Sequence, residues 1–239
     1  MSIAFEELDY QQTELGELIL RRRRMQSLGG TEVYEIKLGG DFLMSSLFTK
    51  VEVALAELGL SELSGNALQV VVGGLGLGYT ARAALDHPSV ASVVVIDLLA
   101  PVIDWHRRGL VPLGAQLSAD PRCRFVHADF FARVQSDALD PENPRKQFDA
   151  ILLDIDHSPQ DLLHDRHGSF YGAEGLRGVT RHLRAGGVFA MWSDDPPDDE
   201  FLAHLAEIFA TARAHIVSFD NPLLETQSAS TVYVATAAD

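Results

Sequence analysis

The sequence predicts an α/β protein: a doubly wound, seven-stranded sheet preceded by a small N-terminal β-unit. Three observations carry this expectation. From residue 68 onward, apolar runs of strand length alternate with amphipathic stretches of helix length. The first run, Leu68-Gln-Val-Val-Val72, breaks into Gly73-Gly-Leu-Gly-Leu-Gly78, which reads as a tight turn from a strand into a helix. The second, Val93-Val-Val-Ile-Asp97, ends in a carboxylate about 20 residues past the glycines, the spacing of a strand-terminal ribose ligand.

In chain order, residues 1–48 form the β-unit, with strands at Gly16-Glu-Leu-Ile-Leu-Arg21 and Glu32-Val-Tyr-Glu-Ile-Lys-Leu38 separated by Gly29-Gly30. Residues 49–239 form the sheet domain. It opens with a helix over Thr49–Leu60, whose Val51, Leu55 and Leu58 share a face and whose Gly59 lies near the end. Strands are expected at 68–73, 92–97, 123–127, 149–154, 187–192, 214–219 and 230–236. Helices are expected near 78–86, 100–107, 128–135, 173–184 and 199–211. Asp140–Gln147 and the acidic, Pro-rich Ser193–Asp199 read as loops, and the last two strands as a hairpin at one sheet edge.

Composition excludes several classes of function. The 239 residues carry 19 Lys and Arg against 34 Asp and Glu, a formal charge of −15. Nucleic-acid binding needs clustered cations, and the one cluster, Arg21–Arg24, reads as a solvated strand or turn. No stretch is apolar enough to span a membrane and no export signal opens the chain, so no membrane partner is expected. Cys123 is the only cysteine, which leaves no intramolecular disulfide and suits a reducing, cytoplasmic location.

Open α/β sheets bind ligands at the carboxyl ends of their strands. The loops there contain Gly73, Gly74, Gly76 and Gly78, then Asp97-Leu98, Asp129-Phe130 and Asp154-Ile-Asp-His157. Glycines let the backbone turn and approach a ligand closely. Asp97 is placed to accept from ribose hydroxyls and Asp129 from an adenine amino group with Phe130 beside the ring, the bland alternative for either being a helix N-cap. A phosphate-binding loop is excluded because no Gly-Lys-Ser/Thr follows the turn, and Tyr79 stands where a dinucleotide fingerprint wants a third small residue.

At this point the chain resembles the spermidine synthase-like branch of the S-adenosylmethionine-dependent transferases. The likeness rests on Leu15-Gly-Glu-Leu-Ile-Leu20, Val70-Val-Val-Gly-Gly-Leu-Gly-Leu-Gly78, Pro88–Asp97, Phe148-Asp-Ala-Ile-Leu-Leu-Asp154 and Leu183-Arg-Ala-Gly-Gly-Val-Phe-Ala190. It implies a seven-stranded Rossmann-like methyltransferase sheet with a small N-terminal β-domain, a homodimer, a sulfonium cofactor, and a cover from Phe42–Ser46. Three departures stand out. Leu75 or Leu77 occupies the place of an acidic loop residue; Val53-Ala-Leu-Ala-Glu57 keeps only the Glu of a Tyr-His-Glu run; and Asp154-Ile-Asp-His-Ser-Pro159 rearranges the motif after the fourth strand.

The leading expectation is therefore a methyltransferase using S-adenosylmethionine on a small-molecule amine or hydroxyl. The alternatives are a polyamine aminopropyltransferase using decarboxylated S-adenosylmethionine, and a non-catalytic nucleoside-binding homologue. Asp154 is the first candidate for general base or amine anchor and His157 the second. Asp156, Tyr171 and Trp192 are candidates for the acceptor pocket, the aromatics being core residues otherwise. Trp105-His106 is a candidate border of the adenosine. No metal is expected; Asp154 with Asp194 and Asp195 is the only candidate oxygen set for Mg²⁺.

Overall fold

A computed structural model describes residues 5–239, so the first four residues of the 1–48 unit lie outside it. The fold is the expected α/β architecture, with a four-stranded antiparallel sheet ahead of a seven-stranded mixed one. The small sheet is a meander of β1 (Phe5–Thr13), β2 (Gly16–Met25), β3 (Thr31–Leu38) and β4 (Asp41–Ser45). Alternation along its strands buries Leu18, Leu20, Ile36 and Leu38 on one face. β1 escaped the sequence reading because Phe5-Glu-Glu-Leu-Asp-Tyr-Gln-Gln-Thr13 is polar, as an exposed edge strand is. The Arg21–Arg24 cluster lies on β2, where Arg21 and Arg23 hold the buried Glu35 at 2.6 and 2.7 Å and Arg22 pairs with Glu6 at 2.6 Å.

After helix α1 (Lys50–Ser61), the large sheet alternates β5 (Leu68–Gly73), α2 (Tyr79–Asp86), β6 (Val90–Asp97), α3 (Ala100–Arg107), α4 (Gly114–Ala119), β7 (Cys123–His127), α5 (Phe130–Gln135), β8 (Phe148–Leu153), α6 (Ala173–His182), β9 (Leu183–Ser193), α7 (Asp199–Ile208), β10 (Thr211–Asn221) and β11 (Thr226–Thr236). In space the order is β10-β11-β9-β8-β5-β6-β7, parallel except where β11 runs against both of its neighbours. Val70, Val71 and Val72 of the central β5 are fully buried, because helices cover both faces of the sheet. The helices α1 to α4 share one core with the small sheet, and α5 to α7 share the other.

Differences from the expected boundaries have local causes. Six-residue α4 carries too few apolar positions to show a helical period. The terminal hairpin is longer than expected: β10 and β11 pair from Thr211–Thr236 to Asn221–Thr226, and the exposed β10 has no apolar run to mark its length. The topology fixes the site. Strand order reverses between β5 and β8, so the crevice at that point opens beside the glycine turn and Asp154.

Candidate functional site

A cavity of about 410 Å³ lies at the carboxyl ends of β5, β6, β7 and β8, within the range of small-molecule sites. Its floor is the glycine turn. Gly74 has φ +93°, and a Cβ there would sit 2.0 Å from the Asp154 carbonyl oxygen, so only glycine lets β5 and β8 close on each other. Its roof is β4: Met44 lies over Gly76, and the Leu77 N–H points at the Met44 sulfur at 3.0 Å. Phe42, Leu43 and Ser45 border the same cavity.

One end of the cavity is shaped by Asp97, Leu98, Leu99, Asp129, Phe130 and Phe131. Asp97 is buried; its carboxylate accepts from the Leu75 N–H at 2.8 Å and the Leu99 N–H at 2.7 Å. Burial pushes its pKa up, and these amides with that of Gly76 oppose the shift. A carboxylate has about four acceptor positions, so the amides leave capacity for a ligand's hydroxyl. Asp129 borders the cavity and also caps α5 by accepting from the Ala132 N–H at 3.2 Å. Arg166 approaches its other oxygen at 3.7 Å.

The other end holds three carboxylates. Asp154 follows β8, Asp194 follows β9, and Glu52 stands in the first turn of α1. Burial pushes Asp154 up to about 6, while the Thr80 hydroxyl, donating to its Oδ2 at 2.6 Å, holds it down. Glu52 rises to about 8, first from burial and then from the negative charges of Asp154 and Asp194. His157 and Trp192 face each other at 6.3 Å along this wall, and Ser230 of the hairpin donates to Asp194 at 3.1 Å.

Several candidates lie elsewhere. Gly73 does not border the cavity; its bare Cα makes room for the Phe130 ring, which a Cβ would meet at 2.7 Å. Gly78 also stands back from it, taking φ +93° at the start of α2 against His106 and Leu117. Asp156 and Tyr171, proposed for the acceptor, are buried outside it, the Tyr171 hydroxyl donating to Asp156 Oδ2 at 2.7 Å. Trp105 is fully buried and donates to Asp9 at 2.6 Å. His106 lies under the turn, bonded to the Gly76 carbonyl at 2.9 Å, and burial lowers its pKa to about 4. Asp195 does not border the cavity, and its backbone carbonyl accepts from the Thr231 hydroxyl at 2.7 Å. Among the described residues no group of three or more His, Cys, Asp or Glu side chains is arranged to hold a metal, so Asp154, Asp194 and Asp195 form no Mg²⁺ set. Among those residues too, no helix is long and apolar enough to cross a membrane.

Glu52 and Thr80 were not anticipated. The family glutamate had been placed at Glu57, which is exposed; five helical positions turn a side chain about 140° away from Glu52's direction. Thr80 offered only its place just after the turn.

The chain is similar to known proteins. A 29% identical stretch of 163 residues relates the chain to polyamine aminopropyltransferase 2 of Pseudomonas aeruginosa, covering 63% of this chain and 42% of that protein. Polyamine aminopropyltransferase of Bacillus subtilis is 28% identical over 131 residues, 55% of this chain and 43% of its own length. The chain thus spans about two fifths of these relatives. Among solved structures, a spermidine synthase in complex with the transition state analogue AdoDATO superposes with a TM-score of 0.74 at 18% identity, covering 96% of this chain and 73% of that one. Spermidine synthase from Thermotoga maritima gives 0.71 at 18% identity, with 96% and 72% covered.

These matches overturn the expectation of methyl transfer, since the relatives are aminopropyltransferases. The physical error is plain in the glycine turn. Leu75 and Leu77 are buried at 4% and 0% exposure and face the core, so the lack of an acid there says nothing about the cavity, whose clustered acids Glu52, Asp154 and Asp194 come from α1 and the ends of β8 and β9. The family model of the spermine/spermidine synthase domain matches residues 49–217, well over half of the sequence, and the chain belongs to that family.

Proposed function

We propose that this chain transfers an aminopropyl group from decarboxylated S-adenosylmethionine to a cationic amine. The observation that carries the reading is the placement of Glu52, Asp154 and Asp194 within one another's electrostatic reach on a largely apolar cavity. Negative charges so poorly solvated are relieved by a cation. Intact S-adenosylmethionine would bring a carboxylate toward them, whereas the decarboxylated form ends in an ammonium. The names of the relatives and the transition state analogue of the structural neighbour agree with this chemistry.

In this reading Asp97 accepts from the ribose hydroxyls and Asp129 lies at the base. The acceptor amine binds as a cation beside Glu52 and Asp194 and gives a proton to Asp154, whose pKa of about 6 keeps it ionised at neutral pH. The freed lone pair forms a bond to the methylene next to sulfur. The C–S bond breaks with its electron pair going to sulfur, and 5′-methylthioadenosine leaves as a neutral thioether. Alignment supplies most of the rate.

The test is to incubate the protein with decarboxylated S-adenosylmethionine and a panel of diamines and monoamines, and to follow 5′-methylthioadenosine by chromatography. Product with diamines is expected. Formation of S-adenosylhomocysteine from S-adenosylmethionine would overturn the proposal. Binding of 5′-methylthioadenosine without turnover of any amine would replace it with a non-catalytic nucleoside-binding role.

A further inference from the structure

The segment after β8 contains a polar cluster that the transfer step does not use. Asp156 is buried, yet its Oδ1 accepts from the Leu163 N–H at 2.9 Å and from His167 Nδ1 at 2.8 Å, and its Oδ2 from the Tyr171 hydroxyl at 2.7 Å. All three donors lie 7 to 15 residues further along the chain, so one carboxylate gathers the whole segment. His167 is itself only 3% exposed and stacks on Phe131 with ring centroids 4.1 Å apart. Nevertheless its ring borders the cavity, and its Nε2 has no partner among the described residues.

An Asp–His pair of this kind sets the tautomer. Nδ1 carries the proton that Asp156 accepts, so in the neutral ring Nε2 offers a lone pair. Its position says what that lone pair meets. Phe131, on which the ring stacks, and Asp129, which the adjacent Arg166 approaches, both belong to the end of the cavity that follows β6 and β7, away from Asp154. Resting on the transfer reading above, which puts the nucleoside at that end, we infer that His167 Nε2 accepts a hydrogen bond from the exocyclic amine of the purine and selects a 6-amino over a 6-oxo base. A 6-oxo purine would set a carbonyl lone pair against that of Nε2, leaving both unpaired in a poorly solvated site. Asp156 is the positioning residue, acting only through the tautomer it imposes.

The test compares binding of 5′-methylthioadenosine and 5′-methylthioinosine by calorimetry. The unmodified protein prefers the adenosine by roughly ten-fold or more, the discrimination expected when a site built around a hydrogen bond meets a ligand lacking it. His167→Phe keeps the stack on Phe131 and removes the lone pair; the preference then collapses to about two-fold, mainly through weaker adenosine binding. Asp156→Ala removes the oxygen that holds the proton on Nδ1, so Nε2 presents either a lone pair or an N–H and the preference falls toward parity. Should H167F not fold, His167→Leu, which also removes the lone pair, decides the question together with D156A. An unchanged ratio in the folded variants, or equal weakening of both nucleosides, would overturn the inference and leave the transfer reading intact. Failure of the unmodified protein to bind either nucleoside would overturn both.

Discussion

Glu52→Gln separates the cost of the carboxylate cluster from its use. In the folded chain Glu52 titrates at about 8 against an ordinary 4.5, so between these values the native state holds a proton that the unfolded chain has lost. Stability therefore falls as pH rises through that window, and the whole penalty is present above it. At about 1.4 kcal/mol per pH unit the interval corresponds to roughly 5 kcal/mol at most. Water and counter-ions entering the open cavity screen part of it, which leaves a gain of about 2 kcal/mol for the neutral glutamine at pH 9. For a chain of this size that raises Tm by about 4–8 °C. At pH 5 Glu52 is already protonated in the fold, and E52Q should melt within a degree or so of the unmodified protein. Differential scanning fluorimetry from pH 5 to pH 9 reads the difference directly, and the KM for a diamine should rise about ten-fold in the same variant as a cation loses one counter-charge. A Tm difference that does not change with pH, or a loss of stability at pH 9, would refute the view that Glu52 is a strained carboxyl held for binding.

Other perturbations test neighbouring parts of the site. Asp154→Asn leaves the fold in place and lowers kcat by about 10²–10⁴-fold, the usual contribution of a general base, with nucleoside binding retained in calorimetry. Thr80→Val removes the hydrogen bond that holds Asp154 down, so the acid limb of kcat/KM moves from near pH 6 to higher pH by about one unit, while the plateau at high pH is nearly kept; a uniform loss across the profile would assign Thr80 a packing role instead. Gly74→Ala forces a Cβ against the Asp154 carbonyl at a positive φ, and its soluble yield or Tm should fall sharply, by more than any other single-methyl addition in the turn except at Gly76 or Gly78.

The large sheet was legible because its strands are buried on both faces and therefore written as unbroken valine and isoleucine runs, as in Val70–Val72 and Val93–Ile96. Asp97 and Asp154 were legible for a related reason, since each ends such a run, while Asp129 follows the shorter, mixed Cys123–His127, and topology alone brings these strand ends together. What local pattern did not show was the direction of side chains in turns. Leu75 and Leu77 sit between glycines that line the cavity or start α2, yet their side chains return to the core, and reading them as cavity residues led to the wrong transferred group. Glu52 and His167 belong to a helix start and a loop whose approach to the cavity depends on packing across the whole sheet. No spacing in the sequence encodes that approach.

The contact of Met44 with the glycine turn gives the small sheet a part in assembly. The floor of the cavity belongs to one sheet and its roof to the other, and they meet where a thioether lies on a bare Cα and accepts from the Leu77 N–H. A fragment starting at residue 49 would retain the strands, the three carboxylates and Asp97, but would present them as an open shelf. Nucleoside capture is then a property of two separately paired sheets brought together, and it should emerge late in refolding, after the large sheet has already acquired its secondary structure.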